Sequence, residues 1–378
     1  MAGKTMERNV TLTFSEEQAE LLEVAQNFCR DKSPVATVRK LIEDELGYDP
    51  AVWEEMVALG WLGIAVPEEF GGVGLSMAEI VPVVEQMGRR LMGGPFVPTT
   101  LAAQALLAGG TEKQKSAILP EICAGKAATL ALTEPHADWN LTHIEAKAVE
   151  EGGRLKLSGT KIFVVDAASA EWIIASVTKD GAPSLVVIEK ASLPQGALRR
   201  EVVADETRRS FRLELDGVTV PADALLDTSR AKETLDHIDM AASLLLSAEA
   251  CGAAASCVDY TVDYLKTRKQ FGKLIGSYQS LKHPIVDAHV AYELARSHLY
   301  NAACTFGQQG EGEIAVRMAK SESSDALSFA ADRAIQFHGG FGFTYECDAQ
   351  LYRRRGMWCE YLHGDGPYQR AKLAELMF

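Results

Sequence analysis

ATLALTE (128–134), HIEAKAV (143–149), RLKLSG (154–159), KIFVVD (161–166), EWIIASV (171–177), SLVVIEK (184–190), RREVV (199–203) and FRLELDGVTV (211–220) follow one another along the chain. Each run is short and rich in apolar and β-branched residues. Turn formers such as Glu151-Gly152-Gly153 and Asp180-Gly181 separate them. A strand-like run every ~8–12 residues predicts a small antiparallel β-barrel or sandwich. It begins near Lys126 and ends near Asp227, after the Pro221 turn.

On both sides of this block the spacing turns helical. Upstream, Ser15 and Gln18 read as a capping box, and Ala19, Leu21, Leu22 and Ala25 recur at helical intervals. Further helices are predicted over 49–59, 77–90, 99–108 and 112–122. The segment 66–75 is a glycine-rich loop. No strand precedes Gly71-Gly72-Val73-Gly74 and no Gly-Lys-Ser/Thr follows it, so it reads as a turn between helices. Downstream, 235–267, 283–307, 314–337 and 348–377 are long helical stretches, the last broken at His363-Gly364-Asp365-Gly366-Pro367. Four such helices predict an up-and-down bundle. The expected class is α+β multidomain: an N-terminal helical domain over 1–125, a central β domain over 126–228 and a C-terminal four-helix bundle over 229–378.

Composition narrows the function. The 378 residues carry 52 acidic against 38 basic side chains, a formal net charge of −14, which argues against binding a nucleic-acid backbone. No stretch of ~18 uninterrupted apolar residues suggests a membrane span, and the polar opening MAGKTMERNV lacks the apolar core of a secretory signal. The 7 cysteines are scattered without a Cys-x-x-Cys pair, as expected of reduced cytoplasmic thiols. The 8 histidines show no His-Glu-x-x-His and no Cys/His cluster, so no metal site is expected.

The stretch from Tyr264 through Arg268, Phe271 and Gly272 to Gln279 resembles the acyl-CoA dehydrogenase family. Three further segments agree in order: the loop from Pro67 to Leu75, Leu132-Thr133-Glu134-Pro135, and Gln336-Phe337-His338-Gly339-Gly340-Phe341-Gly342-Phe343. The resemblance spans essentially the whole chain. It implies FAD as cofactor, an acyl-CoA substrate, electron delivery to an electron-transfer flavoprotein, and a homo- or hetero-oligomer in which one subunit completes its neighbour's flavin site. The residue types suit those roles. Arg268 offers a permanently charged fork to a pyrophosphate, Phe271 an aromatic face, and Gln279 and Gln336 amide hydrogen bonds. Gly339 and Gly340 allow backbone N–H groups close to phosphate. Thr133 and Phe163 would face the flavin ring.

Three departures from the family pattern stand out. His136-Ala137-Asp138-Trp139-Asn140 replaces a small Gly-Ser pair after the Thr133 turn, and Val165 stands where a Thr hydroxyl usually meets the flavin. His363-Gly364 occupies the place of the Glu-Gly pair that carries the family's base. Ala242 stands at the alternative base position. Ser247-Ala248-Glu249-Ala250-Cys251-Gly252 resembles the Ala-Glu-x-x-Gly segment of a bacterial subgroup acting on steroid side chains and dicarboxyl chains, as does Gly364-Asp365. Glu249 is therefore ranked first as base, His363 second and Asp365 third. The leading expectation is removal of the α-proton of an acyl thioester with β-hydride transfer to flavin N5, giving the trans-2-enoyl-CoA. The alternatives are a non-catalytic partner subunit that completes a neighbour's site, or a flavoenzyme of this fold with other acyl-CoA chemistry.

Overall fold

The computed structural model describes residues 16–378; the Ser15 cap lies outside the described residues. Six helices come first: α1 (Glu16–Lys32), α2 (Val35–Ile42), α3 (Pro50–Ala58), α4 (Met77–Arg89), α5 (Phe96–Gly109) and α6 (Glu112–Cys123). Asp49 caps α3 through the Ala51 N–H, Ser76 and Glu79 form a capping box on α4, and Thr111 and Gln114 do the same on α6. Two of these differ from the sequence reading. The eight-residue α2 follows Pro34 and is too short to show a repeat. The fifth helix starts at Phe96 because Pro98 sits in its first turn, where a missing N–H costs nothing.

Nine strands follow: β1 (Ala127–Ala131), β2 (Lys147–Glu151), β3 (Arg154–Ser158), β4 (Thr160–Val165), β5 (Ala170–Lys179), β6 (Ala182–Glu189), β7 (Leu198–Glu201), β8 (Ser210–Glu214) and β9 (Thr219–Pro221). They make one sheet in the order β1-β5-β2-β3-β9, with β6 also on β5, and a second sheet β4-β8-β7. The larger sheet is mixed where an antiparallel one was expected: β1 runs parallel to β5, and β2 meets β5 in parallel at Lys147 and Thr178. The long chain segment between β1 and β5 is what permits a parallel return. The inner faces bury Leu155, Leu157, Val164, Ile173, Val186 and Leu213 together.

The chain then returns to helix: α7 (Ala231–Thr267), the two-residue strands β10 (Lys269–Gln270) and β11 (Lys273–Leu274), α8 (Gln279–Thr305), α9 (Glu311–Phe337), α10 (Ala349–Tyr361) and α11 (Gly366–Met377). Its central helix, α7, is long and apolar enough to cross a bilayer, yet 94% of that apolar window is buried inside the protein. It is a core helix. Gly88 and Gly252 let α4 and α7 touch: a Cβ on Gly252 would lie 1.8 Å from the Glu85 carbonyl oxygen, and one on Gly88 2.1 Å from that of Glu249. This crossing sets the height of Glu249.

Candidate active site

A cleft opens where the β domain meets α5, α7 and α10. Its lining includes Thr133, Phe163, Val165, Arg208, Ala242, Glu249 and His363, and a wider cavity of about 540 Å³ adjoins it through Thr133, Phe163, Trp358 and His363. Thr133 stands just beyond β1, its carbonyl accepting the Ile162 N–H at 2.9 Å. The turn is anchored beneath by Glu134, which accepts from the Lys161 ammonium at 2.6 Å and from the Glu145 and Ala146 N–H groups. Burial pushes the Lys161 ammonium down to about 8 against the pull of Glu134. Burial also works against the Glu134 charge, but the Lys161 hydrogen bond and charge outweigh it and hold the carboxyl below its ordinary range. Phe163 reaches the cleft because β4 slips register between Lys161 and Val164, which puts Phe163 at φ +53° with its N–H on the Glu201 carboxylate.

Glu249 and His363 line this one cleft. Glu249 is 2% exposed, and its Oε1 accepts from both the Arg208 and Arg355 guanidinium groups. The Arg355 Nε also donates to Asp205 at 2.5 Å and its Nη2 to the Thr207 hydroxyl. Nearby Asp166 is buried with Oδ2 unpartnered. Burial pushes its carboxyl up to about 7, although Arg208, Arg209 and Arg355 pull the other way. His363 follows α10 in the left-handed region at φ +57°, where its carbonyl accepts from Gln369 Nε2 at 2.6 Å. Its Nδ1 lies 2.9 Å from Asp239 Oδ1; in the neutral ring a carboxylate there makes Nδ1 the donor and puts the lone pair on Nε2. Asp365, ranked third, is elsewhere: its Oδ1 accepts the Tyr368 N–H as the N-cap of α11, and it does not line the cleft. A C-terminal acid one residue past a glycine looks the same in sequence whether it caps or catalyses.

Four of the six remaining predicted cofactor residues gather in a separate groove of about 840 Å³. Arg268, Phe271, Gly339 and Gly340 line it, together with Tyr264 and His338. Arg268 ends α7, and Phe271, 91% exposed at φ +53°, projects from the β10–β11 turn. Gly339 has φ +62°, and a Cβ on Gly339 or Gly340 would meet nothing within 4 Å. Gln279 and Gln336, both exposed at helix ends nearby, are not among its walls. A fixed cation, an open aromatic face and uncovered backbone fit a dinucleotide phosphate and purine. Groove and cleft share no residue.

Sequence reasoning missed Arg208, Arg355, Asp205 and Asp239. Arg355 closes the run Arg353-Arg354-Arg355, and only its buried face distinguishes it from two partly exposed neighbours. It also missed an exposed cluster in which ligand atoms of His136, His143 and Glu145 lie within 4.8 Å of one another. There the His143 Nδ1 is already 2.8 Å from Asp138, and the two imidazoles stack at 4.5 Å.

A helical–β–helical chain with an apolar cleft between its parts and a separate groove holding Arg268 fits a flavin-dependent acyl-thioester oxidoreductase. The chain belongs to the acyl-CoA dehydrogenase family: residues 15–126 match the model of the acyl-CoA dehydrogenase N-terminal domain and residues 240–378 that of the C-terminal domain. It is 30% identical over 371 residues to acyl-CoA dehydrogenase IpdE2 of Mycolicibacterium smegmatis, covering 97% of this chain and 100% of that protein. It is 32% identical over 315 residues to acyl-CoA dehydrogenase fadE12 of Mycobacterium bovis, covering 78% and 79%. Among solved structures, a variant of the Tcur3481-Tcur3483 steroid ACAD superposes with a TM-score of 0.85 at 28% identity, covering 97% of this chain and 98% of that one. A glutaryl-coenzyme A dehydrogenase with glutaryl-CoA gives 0.88 at 25% identity, covering 96% and 95%. The family implies an enzyme that dehydrogenates acyl-CoA with a flavin.

Proposed function

We propose that the protein is an FAD-dependent acyl-CoA dehydrogenase forming a trans-2-enoyl-CoA, with His363 as the base. The observation that carries this reading is the placement of His363 in the same cleft as Thr133 and Phe163, its Nδ1 held by Asp239 and its Nε2 free. Flavin bound there supplies the acceptor for the β-hydride. His363 Nε2 takes the α-proton, and the apolar walls, Leu246, Trp358 and Leu362 among them, keep water from competing.

Glu249, ranked first from sequence, is read as the counter-ion of two buried arginines. Protonating it would leave Arg208 and Arg355 with less compensating charge in the interior. The groove with Arg268, Phe271, Gly339 and Gly340 is read as the half-site a subunit offers to its neighbour's FAD, because it lies apart from the cleft of its own chain. The reading also takes an electron-transfer flavoprotein as electron acceptor. The 7 free cysteines fit a reducing compartment, the cytoplasm.

The test is a visible spectrum of the purified protein followed by anaerobic titration with straight-chain acyl-CoAs from butyryl to palmitoyl and a steroid-side-chain acyl-CoA. A yellow protein bleached by one of them supports the reading, as does loss of bleaching in His363→Gln. A protein that stays colourless with added FAD, or a His363→Gln variant that bleaches at the wild-type rate, overturns it.

A further inference from the structure

The turn that carries His363 is framed on its far side by a second, polar cavity of about 350 Å³. Asp239, Asp236, Glu313, Arg317, Lys372 and Glu375 contribute to its lining. Asp239 belongs to that cavity, whereas His363 belongs to the cleft. The two are joined by the 2.9 Å contact between Oδ1 and Nδ1, with side chains 15% and 17% exposed. Trp139 separates the two spaces: it lines both the polar cavity and the wide cavity beside the cleft, and its indole N–H donates to the Tyr361 carbonyl at 2.9 Å.

The junction is built from buried groups. Arg317 Nη2 stands 3.9 Å from Asp239 Oδ2, while its Nη1 donates to Gln369 Oε1 at 2.9 Å. Gln369, wholly buried, donates onward to the His363 carbonyl. Lys320, 1% exposed, donates to the carbonyls of Cys359, Glu360 and Gly364. These bonds hold His363 in a backbone conformation that L-residues seldom adopt.

We propose that Asp239 is a positioning residue that fixes the His363 tautomer and, once the abstracted α-proton has made the ring cationic, carries the Nδ1 proton away to this polar cavity. The proposal rests on His363 being the base. The balance is as follows. The substrate Cα–H bond breaks and its proton joins His363 Nε2, while the electron pair stays on the substrate and expels the β-hydride to the flavin. The ring, now cationic, gives its Nδ1 proton to Asp239 Oδ1, and Asp239 gives a proton to cavity water. The neutral ring keeps the substrate's proton on Nε2 and regains its starting tautomer when the emptied cleft admits water. Without the exit the ring stays cationic beside the product, and its Nε2 proton remains acidic enough to return to carbon.

Two measurements test this. In flavin-free protein labelled with 15N-histidine, the His363 resonances should show Nδ1 protonated and Nε2 bare. Asp239→Asn, whose amide presents a donor, should reverse that pattern, and Asp239→Glu should restore it. In the loaded enzyme in D2O, deuterium incorporation at the α-carbon of the acyl-CoA that bleaches best should fall roughly 10²-fold or more in Asp239→Asn, because the reversed tautomer leaves no lone pair on Nε2 to take the α-proton. An unchanged tautomer, or wild-type exchange in Asp239→Asn, overturns the proposal while leaving His363 as base. Wild-type bleaching in His363→Gln removes the base assignment itself, so the two failures are told apart.

Discussion

Replacing Glu249 by Gln separates a buried counter-ion from a proton acceptor. In the structure Glu249 Oε1 is shared by two guanidinium groups whose side chains are 5% and 0% exposed. Arg355 keeps Asp205 and Thr207 in the variant. Arg208 keeps no ion pair among the described residues, and its Nε already lacks a partner. Removing one member of a buried pair costs ~3–5 kcal/mol, and the Gln oxygen still accepts hydrogen bonds, so about 3 kcal/mol is expected. At 2–4 °C per kcal/mol this lowers the melting temperature by roughly 6–12 °C. Asp166 provides a second handle. Its carboxyl, pushed up to about 7, can ionise at pH 8 and return an anion to the cluster, so the loss should be larger at pH 6 than at pH 8. Differential scanning calorimetry of flavin-free protein at both pH values measures the stability, and stopped-flow bleaching of the loaded enzyme measures the chemistry. Bleaching within about tenfold of wild type is expected once the variant is folded. A variant that melts like wild type but bleaches 10²–10⁴-fold more slowly would show that Glu249 is the base, and the assignment of His363 would fall.

Four further outcomes are expected. Arg268→Ala should lose ~1.5–3 kcal/mol of FAD affinity, about 10- to 150-fold in Kd by equilibrium dialysis, because it removes a charge-assisted contact in the groove. Gly340→Val should leave the apoprotein's melting temperature unchanged, since a Cβ there meets nothing within 4 Å, while flavin occupancy after gel filtration drops; equal losses would mark Gly340 as a plain turn. Gly252→Ala should destabilise the protein by roughly 1–3 kcal/mol or more in urea titration, because the added carbon collides with the Glu85 carbonyl. Asp166→Asn should gain on wild type as pH rises from 4 towards 7. In that window the folded carboxyl is protonated and the unfolded one ionised, so rising pH favours unfolding of the wild type only; parallel stability curves would refute it.

Much of the architecture was already legible in the chain. Strand runs at 128–220 between helical blocks follow from local periodicity, and periodicity is a property of neighbours in sequence. The groove was legible too, because Arg268, Phe271, Gly339 and Gly340 stand in short motifs at the ends of α7 and α9. The parallel placement of β1 beside β5 was not, since it depends on where the intervening strands carry the chain. The surroundings of the candidate proton acceptors were hidden for the same reason. An isolated acid on an apolar helix reads as a base until Arg208 and Arg355, 41 and 106 residues away, are seen against it. A histidine at a helix break reads as a cap until Asp239, 124 residues distant, is found on its Nδ1. Charge and hydrogen bonding act through space at a few ångströms, so what a buried ionisable group does is settled by the groups that tertiary folding brings to it.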